Sequence, residues 1–286
     1  MNRIGIMTDC ICDLPEDYLE ANGVEVMHFY IHTATGRFRD GDEITSGNIL
    51  EYLESGNTLL KSNIPDPEEY KVFYERGLRK YDEIIHIATS DKAGLSFNHA
   101  TASLALLREE DANRVTVIDS KHLSTGLGHM VLRAVQLRDE GKSSAEIIDA
   151  MDRMKAKVSS TFIVPDADYL YNMGKVSILV KILCKALSLH PVLYLKEGKI
   201  SVKTMRVGNY EKAVMRYVNS ELKHGDRIDT SKLFITHAGC PTKLLNQIRE
   251  TANELCRFKE ITVTKASAAI SSNCGPETVG VLFVYN

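Results

Sequence analysis

The stretch from Glu83 to Glu110, EIIHIATSDKAGLSFNHATASLALLREE, constrains the fold of this chain more than any other. It begins with Ile84-Ile85-His86-Ile87-Ala88, an apolar run too short for a helix and rich in β-branched residues, which predicts a buried strand. Thr89 to Ser96 is small, polar and hydroxyl-bearing, and from Ser96 the apolar positions Phe97, Ala100, Leu104 and Leu107 recur at helical spacing. A strand, a small-residue loop and a helix N-terminus together leave backbone N–H groups and a positive dipole end free to meet an anion. The pattern predicts an anion seat here, over Thr89 to Ser96.

The same arrangement recurs along the first half. Arg3 to Met7 reads as a buried strand running into Thr8-Asp9-Cys10, and Val24 to His32 as the next strand. Val115 to Ile118 runs into Asp119-Ser120. With Leu59-Leu60 at the sheet edge, Ser62-Asn63 joins the set beyond the carboxyl ends of the strands, where open α/β sheets bind ligands. Pro67 after Asp66 starts a helix that runs to about Tyr81, since proline suits the first turn and Asp66 can cap it. Ser124 to Glu140 and Ser143 to Val158 read as consecutive helices with no strand between them, which ends the alternating pattern and puts a domain boundary near Ser159.

The second half has a different rhythm. Thr161 to Val164 is strand-like, Asp166 to Asn172 a short helix, and Ser177 to Leu189 an apolar helix expected in the core. Lys196-Glu197-Gly198 between two apolar runs is a hairpin signature. Helices from Tyr210 and Pro241 alternate with strands, and Ser271 to Glu277 reads as a last loop. The fold expected is α/β: a mostly parallel N-terminal domain (1–158) and a mixed or antiparallel α+β C-terminal domain (159–286).

Several classes of function find no support. A net charge of −3 and a pI near 6.3 give no reason to expect nucleic acid. No apolar run approaches the ~18 residues of a membrane span, and Asp9 falls where a signal peptide needs its apolar region, so a cytoplasmic protein is expected. Six scattered cysteines do not form a disulfide framework. There is no G-x-S-x-G, Walker, G-x-G-x-x-G or H-E-x-x-H motif. His28 and His32, four apart in a strand, stand about 13 Å apart and cannot chelate one ion. Asp9, Asp91 and Asp119 as a Mg²⁺ site compete with the commoner use of such carboxylates as helix caps. His237, after a strand, reads as structural or pocket-lining, and no metal, catalytic residue or cofactor is expected.

Seven short segments, in order, carry a resemblance to a known family. Thr8-Asp9-Cys10 with Asp13-Leu14-Pro15 is similar to T-D-S-x-x-D-L-P, and Ser62 to Pro67 to T-S-Q-P-S-P. Ser90 to Ala100 is similar to S-S-x-L-S-G-T-Y-x-x-A, and Val117 to Gly128 to V-I-D-S-x-x-x-S-x-G-x-G. Tyr169 to Val176 is similar to Y-L-x-x-G-G-R-I, with His190 to Leu193 similar to K-P-I-L. Asn273 to Glu277 is similar to H-T-G-P-G. The chain resembles the DegV family of bacterial fatty-acid-binding proteins over essentially its full length.

The resemblance implies a carrier that is not itself an enzyme. One fatty acid such as palmitate, stearate or oleate would lie between the two domains, offered to a separate fatty acid kinase catalytic subunit. It places the carboxylate on Ser62, Gly94, Leu95 and Ser96, with Asn63, Ser90, Asp119, Ser120, Lys175 and Asn273 as accessory head-group residues. Phe162, Val164, Ile178, Leu179 and Ile182 are the expected tunnel. The chain departs from the pattern at Gly94, where the family has a serine, at Lys175 for arginine, which loses the bidentate fork, and at Asn273 for histidine. The alternative reading is a metal-assisted hydrolase or transferase acting on a small phosphorylated or carboxylated metabolite near Asp9 and Asp119.

Overall fold

The computed structural model describes residues 3–56, 61–172, 174 and 176–286. The first half runs β1 (Ile4–Asp9), α1 (Glu16–Ala21), β2 (Glu25–Met27), β3 (Tyr30–Thr33), β4 (Gly36–Arg39), α2 (Ser46–Glu54) and β5 (Lys61–Asn63). It continues α3 (Pro67–Leu78), β6 (Glu83–Ala88), α4 (Ser96–Ser103), α5 (Glu109–Ala112), β7 (Val115–Asp119), α6 (Ser124–Asp139) and α7 (Ser144–Met154). All six residues of β1 are buried, as expected of a parallel strand covered on both faces. It pairs in parallel with β2 and β6, and β6 with β7, giving the order β2-β1-β6-β7. Caps fall where the residue types require them. Thr45 begins α2, Asp66 with Glu69 and Pro67 begins α3, and Ser143 with Glu146 begins α7.

Two expectations for this half are corrected. The strand read over 24–32 breaks at His28-Phe29, because His28 Nδ1 bonds to the Asp40 carbonyl at 2.7 Å and the Phe29 N–H to Cys10 Sγ at 3.2 Å. These side-chain bonds stand in for the ladder and send β3 into a separate antiparallel sheet, β4-β3-β5. Ser62-Asn63 therefore reaches the site from this small sheet and not from the parallel one. Leu59-Leu60 lies outside the described residues.

The second half runs β8 (Val158–Ile163), α8 (Asp168–Asn172), α9 (Ile178–Ala186), β9 (Leu189–Lys196), β10 (Lys199–Val207), α10 (Tyr210–Leu222) and β11 (Ile228–His237). It ends with α11 (Thr242–Cys256), β12 (Glu260–Lys265), α12 (Ala268–Cys274) and β13 (Val279–Tyr285). The sheet order is β10-β9-β8-β13-β11-β12, antiparallel except for β11 with β12. Glu197 and Gly198 both take positive φ, as the tight β9–β10 hairpin requires. A parallel α/β sheet followed by a mainly antiparallel one agrees with the sequence pattern; the small β4-β3-β5 sheet is the addition.

Helix α6 ties the halves together. Its residues Leu127, Met130, Val131 and Ala134 are fully buried, packed in one cluster with Ile6, Ile85 and Ile87 of the parallel sheet and with Phe234 and Leu282 of the second sheet. His129 inside this helix bonds to the Leu282 carbonyl at 3.1 Å, and burial pushes its pKa down to about 4, so the ring is neutral at physiological pH. The opposite face of the second sheet packs on α10 and α11, with Val214, Tyr217, Leu244 and Ile248 in a second core.

Two further corrections concern the second half. Ala268–Cys274 is a helix where 271–277 reads as loop, because Ser267 caps it and carboxylates from the first half bind its leading N–H groups. Helix α9 is not a core helix. Cys184 is its buried residue, and its aliphatic side chains face outward.

Candidate functional site

A cavity of about 310 Å³ lies where the loops after the parallel strands face the second sheet. That volume is at the lower end of the roughly 300–1,000 Å³ typical of small-molecule sites. The first half contributes Ile11, Phe29, Ser62, Ile64, Thr89 and Gly94 to its wall. The β9–β10 hairpin adds Leu193, Leu195 and Ile200, β8 adds Phe162, and α8 adds Leu170. Helix α12 closes it with Ile270, Asn273 and Cys274, while His237 stands at the end of β11. The wall is mainly apolar, and among the described residues no lysine or arginine lines it.

The polar contact across the cavity joins the two halves. Asn273 Nδ2 donates to Ser62 Oγ at 3.1 Å and to the Ala269 carbonyl at 2.7 Å. Because Ser62 Oγ accepts this bond, its own proton is available to a ligand. Asn273 is held in place through the start of α12. There Asp40 accepts from the Ala268 and Ala269 N–H groups, both at 2.8 Å, and Asp13 accepts from the Ser267 N–H at 2.8 Å and from Ser124 Oγ at 2.5 Å. Burial pushes the Asp13 carboxyl up to about 7, against the lowering effect of its bonds from Ser124 and Ser267.

Below the opening loop lies a fully buried polar knot. Asp9 accepts from the Thr89 N–H at 2.7 Å, Ser96 Oγ at 2.5 Å and Tyr70 Oη at 3.1 Å, with His86 Nε2 at 3.3 Å. Burial works against this carboxylate, but His86, Ser96 and the Thr89 N–H together outweigh it and hold the pKa below the usual carboxylate range. At the loop's outer side Ser90 Oγ donates to the Gly198 carbonyl at 2.9 Å, fastening the hairpin tip to the first half. A Cβ on Gly198 would sit 2.3 Å from Ser90 Oγ, so this close approach needs glycine.

The predicted seat is accordingly redrawn. Ser62 and Gly94 line the cavity, and so does Asn273. Ser96 does not, because its hydroxyl is committed to Asp9, and Leu95 is 54% exposed on the outer surface. The Gly94 N–H is also used, donating to the Ser90 carbonyl at 3.2 Å. Asn63 is exposed, Asp119 binds the Lys121 ammonium and N–H, and Ser120 donates to the His122 carbonyl. Lys175 lies outside the described residues.

Of the tunnel candidates, Phe162 is on the wall, while Val164 is buried beside Leu170 and Leu193 without lining the cavity. Ile178, Leu179 and Ile182 are 46%, 74% and 57% exposed on α9 and form no part of it. Helical apolar spacing identifies a shared face without saying which way that face turns. His237 does line the cavity. Its Nδ1 accepts from the Cys240 N–H at 3.1 Å, which leaves the ring proton on Nε2. Asp9, Asp91 and Asp119 do not converge: Asp9 is enclosed in its own knot, and Asp91 and Asp119 share Lys121. Sequence reasoning missed the Asp13–Asp40 grip on α12, which joins residues more than 200 positions apart and leaves no local signal.

The family model described as an uncharacterised protein of the DegV family matches residues 3–286. The chain belongs to the DegV family. A DegV domain-containing protein of Caldanaerobacter subterraneus subsp. tengcongensis is 25% identical over 283 residues, 99% of each chain. Among solved structures, a DegV family protein from Thermus thermophilus, described for its fatty acid binding, superposes with a TM-score of 0.85 at 26% identity. The match covers 99% of this chain and 100% of that one. DegV from Bacillus subtilis, a fatty acid binding protein, superposes at 0.84 and 20% identity over the whole of both chains. A DegV family protein from Eubacterium eligens, loaded with heptadecanoic acid, gives 0.85 at 20% identity over 99% and 100%. The DegV resemblance read from seven short segments is thus confirmed, and with it the α/β fold of a parallel-sheet part and a mixed-sheet part.

Proposed function

We propose that this DegV protein binds one long-chain fatty acid such as palmitate, stearate or oleate, buried between an N-terminal unit (1–158) and a C-terminal unit (159–286). Ser62, bridged to Asn273, meets the carboxylate, and the walls formed by Phe29, Ile64, Phe162, Leu193 and Ile270 hold the chain. The observation that carries this reading is an apolar cavity closed across both halves by one hydroxyl–amide pair. An acyl chain of about sixteen carbons, at roughly 0.8 kcal/mol per buried methylene, supplies ample driving force. The polar pair then needs only to orient the head group. The chain acts as a carrier, and any phosphoryl transfer to the carboxylate belongs to a separate fatty acid kinase subunit. The fatty acid binding described for the Thermus thermophilus protein supports the ligand class.

Native mass spectrometry of the purified chain tests this directly, with a co-purifying acyl mass expected. A protein that carries none, and takes up neither palmitate nor oleate, would end the proposal. Ser62→Ala is expected to weaken palmitate roughly ten- to a hundredfold, the scale of one hydrogen bond to a charged group. Unchanged affinity in that variant would remove Ser62 from the seat.

A further inference from the structure

Among the described residues, five buried side-chain polar atoms make no well-aligned hydrogen bond: His32 Nε2, Thr89 Oγ1, Arg206 Nε, Ser271 Oγ, and His86 Nε2, which has the Asp9 carboxylate 3.3 Å away. Of these residues Thr89 alone lines the cavity. It is 2% exposed, and its backbone N–H is pinned to Asp9 Oδ2 at 2.7 Å, which holds the residue in place at the end of β6. Buried hydroxyls are nearly always hydrogen-bonded in native proteins, so an orphan on a cavity wall calls for a partner that the cavity receives.

The other hydroxyls near the cavity are already engaged within the protein. Ser90 donates to the Gly198 carbonyl, Ser96 and Ser124 to aspartates, and Ser160 pairs with His122. Thr161 pairs with Tyr217, and Thr236 with Thr125 and Thr264. Thr278 donates to the Cys274 carbonyl, which leaves Ser62 and Thr89, among the described residues, as the hydroxyls with a proton to give. No lysine or arginine lines the wall among the described residues.

We infer that the Thr89 hydroxyl is the second donor to the carboxyl group of the bound acyl ligand, acting beside Ser62. The inference rests on the fatty acid reading and deepens it. Thr89 precedes the Ser90–Ala100 block, in which Gly94 stands where a serine is expected, so the hydroxyl missing at 94 is supplied five residues earlier from a strand end.

The test is calorimetric titration of the delipidated full chain with palmitate for the wild type, Thr89→Val and Thr89→Ser, with thermal midpoints of the three apo proteins. Thr89→Val keeps the volume and removes the hydroxyl. It is expected to bind palmitate ten- to a hundredfold more weakly, roughly the effect of losing one bond to a charged group, while melting no lower than the wild type. Thr89→Ser is expected to bind like the wild type. Unchanged affinity in Thr89→Val overturns the inference and leaves the fatty acid reading standing. It is equally overturned if Thr89→Ser is as weak as Thr89→Val, since the methyl group then matters. A Thr89→Val chain that melts well below the wild type overturns it too, because the hydroxyl must then have a partner inside the protein. A wild type that takes up no palmitate removes both readings.

Discussion

Asp9 shows how one residue can organise a site that it does not enter. Its carboxylate draws in the Thr89 N–H, the Ser96 hydroxyl and the Tyr70 hydroxyl and stands 3.3 Å from His86, all without solvent contact. Asp9→Ala strands these partners together and is expected to cost about 3–5 kcal/mol of unfolding free energy, the range for breaking a buried charged network. Urea denaturation of the apo protein measures it, and a loss below about 1 kcal/mol would show that the knot is not structural. The small polar residues after β6 are plain in the sequence, but their division of labour is not. Ser96 begins a helix, so its side chain turns back under the loop onto Asp9, whereas Thr89 directly follows a strand and borders the cavity. Neither direction follows from residue type or spacing.

Among the elements, α12 links structure most directly to function. It is short, lies in a stretch read partly as loop, and is stabilised by Asp13 and Asp40 from the far end of the chain. The Asp13 carboxyl, raised by burial from 3.8 to about 7, binds its proton more tightly in the folded than in the unfolded chain. Stability from this site is therefore greatest in acid, falls as pH rises between the two values, and levels off above about 7. Asp13→Asn cannot titrate. The thermal midpoint of the wild type is expected to fall relative to this variant from about pH 5 to about pH 7 and then run parallel to it. A constant difference across that range would show that Asp13 is ionised throughout. Helix α9 teaches the converse lesson. Its apolar periodicity marks a helix, as the sequence suggests, yet Leu179 is 74% exposed, since amphipathic spacing carries no information about which neighbour is present.

At the scale of the whole molecule, α6 packs against both sheets, and the cavity draws its wall from both halves. Ligand binding and global unfolding should then be linked. Palmitate at a hundred times its Kd is expected to add about 2.7 kcal/mol of stability. For a chain of this size that raises the melting midpoint by about 5 °C. Calorimetry should show one transition that moves as a unit. Two transitions, with only one responding to palmitate, would mean that the ligand grips a single half.

The sequence by itself determined most of the strands and helices, the hydroxyl-rich strand ends, the hairpin at Glu197-Gly198 and the family, because each depends on residue periodicity, local turn chemistry or short motifs in order. Tertiary structure alone decided which hydroxyls meet the cavity, that Ser62 arrives from a separate three-stranded sheet, and that α9 turns its apolar face outward. The physical reason is the same in each case. Local sequence sets backbone conformation over a few residues, while the direction of a loop side chain is settled by hydrogen bonds to partners such as Asp9, Asp13 and Asp40. In the Asp13 and Asp40 bonds those partners lie more than two hundred residues apart along the chain.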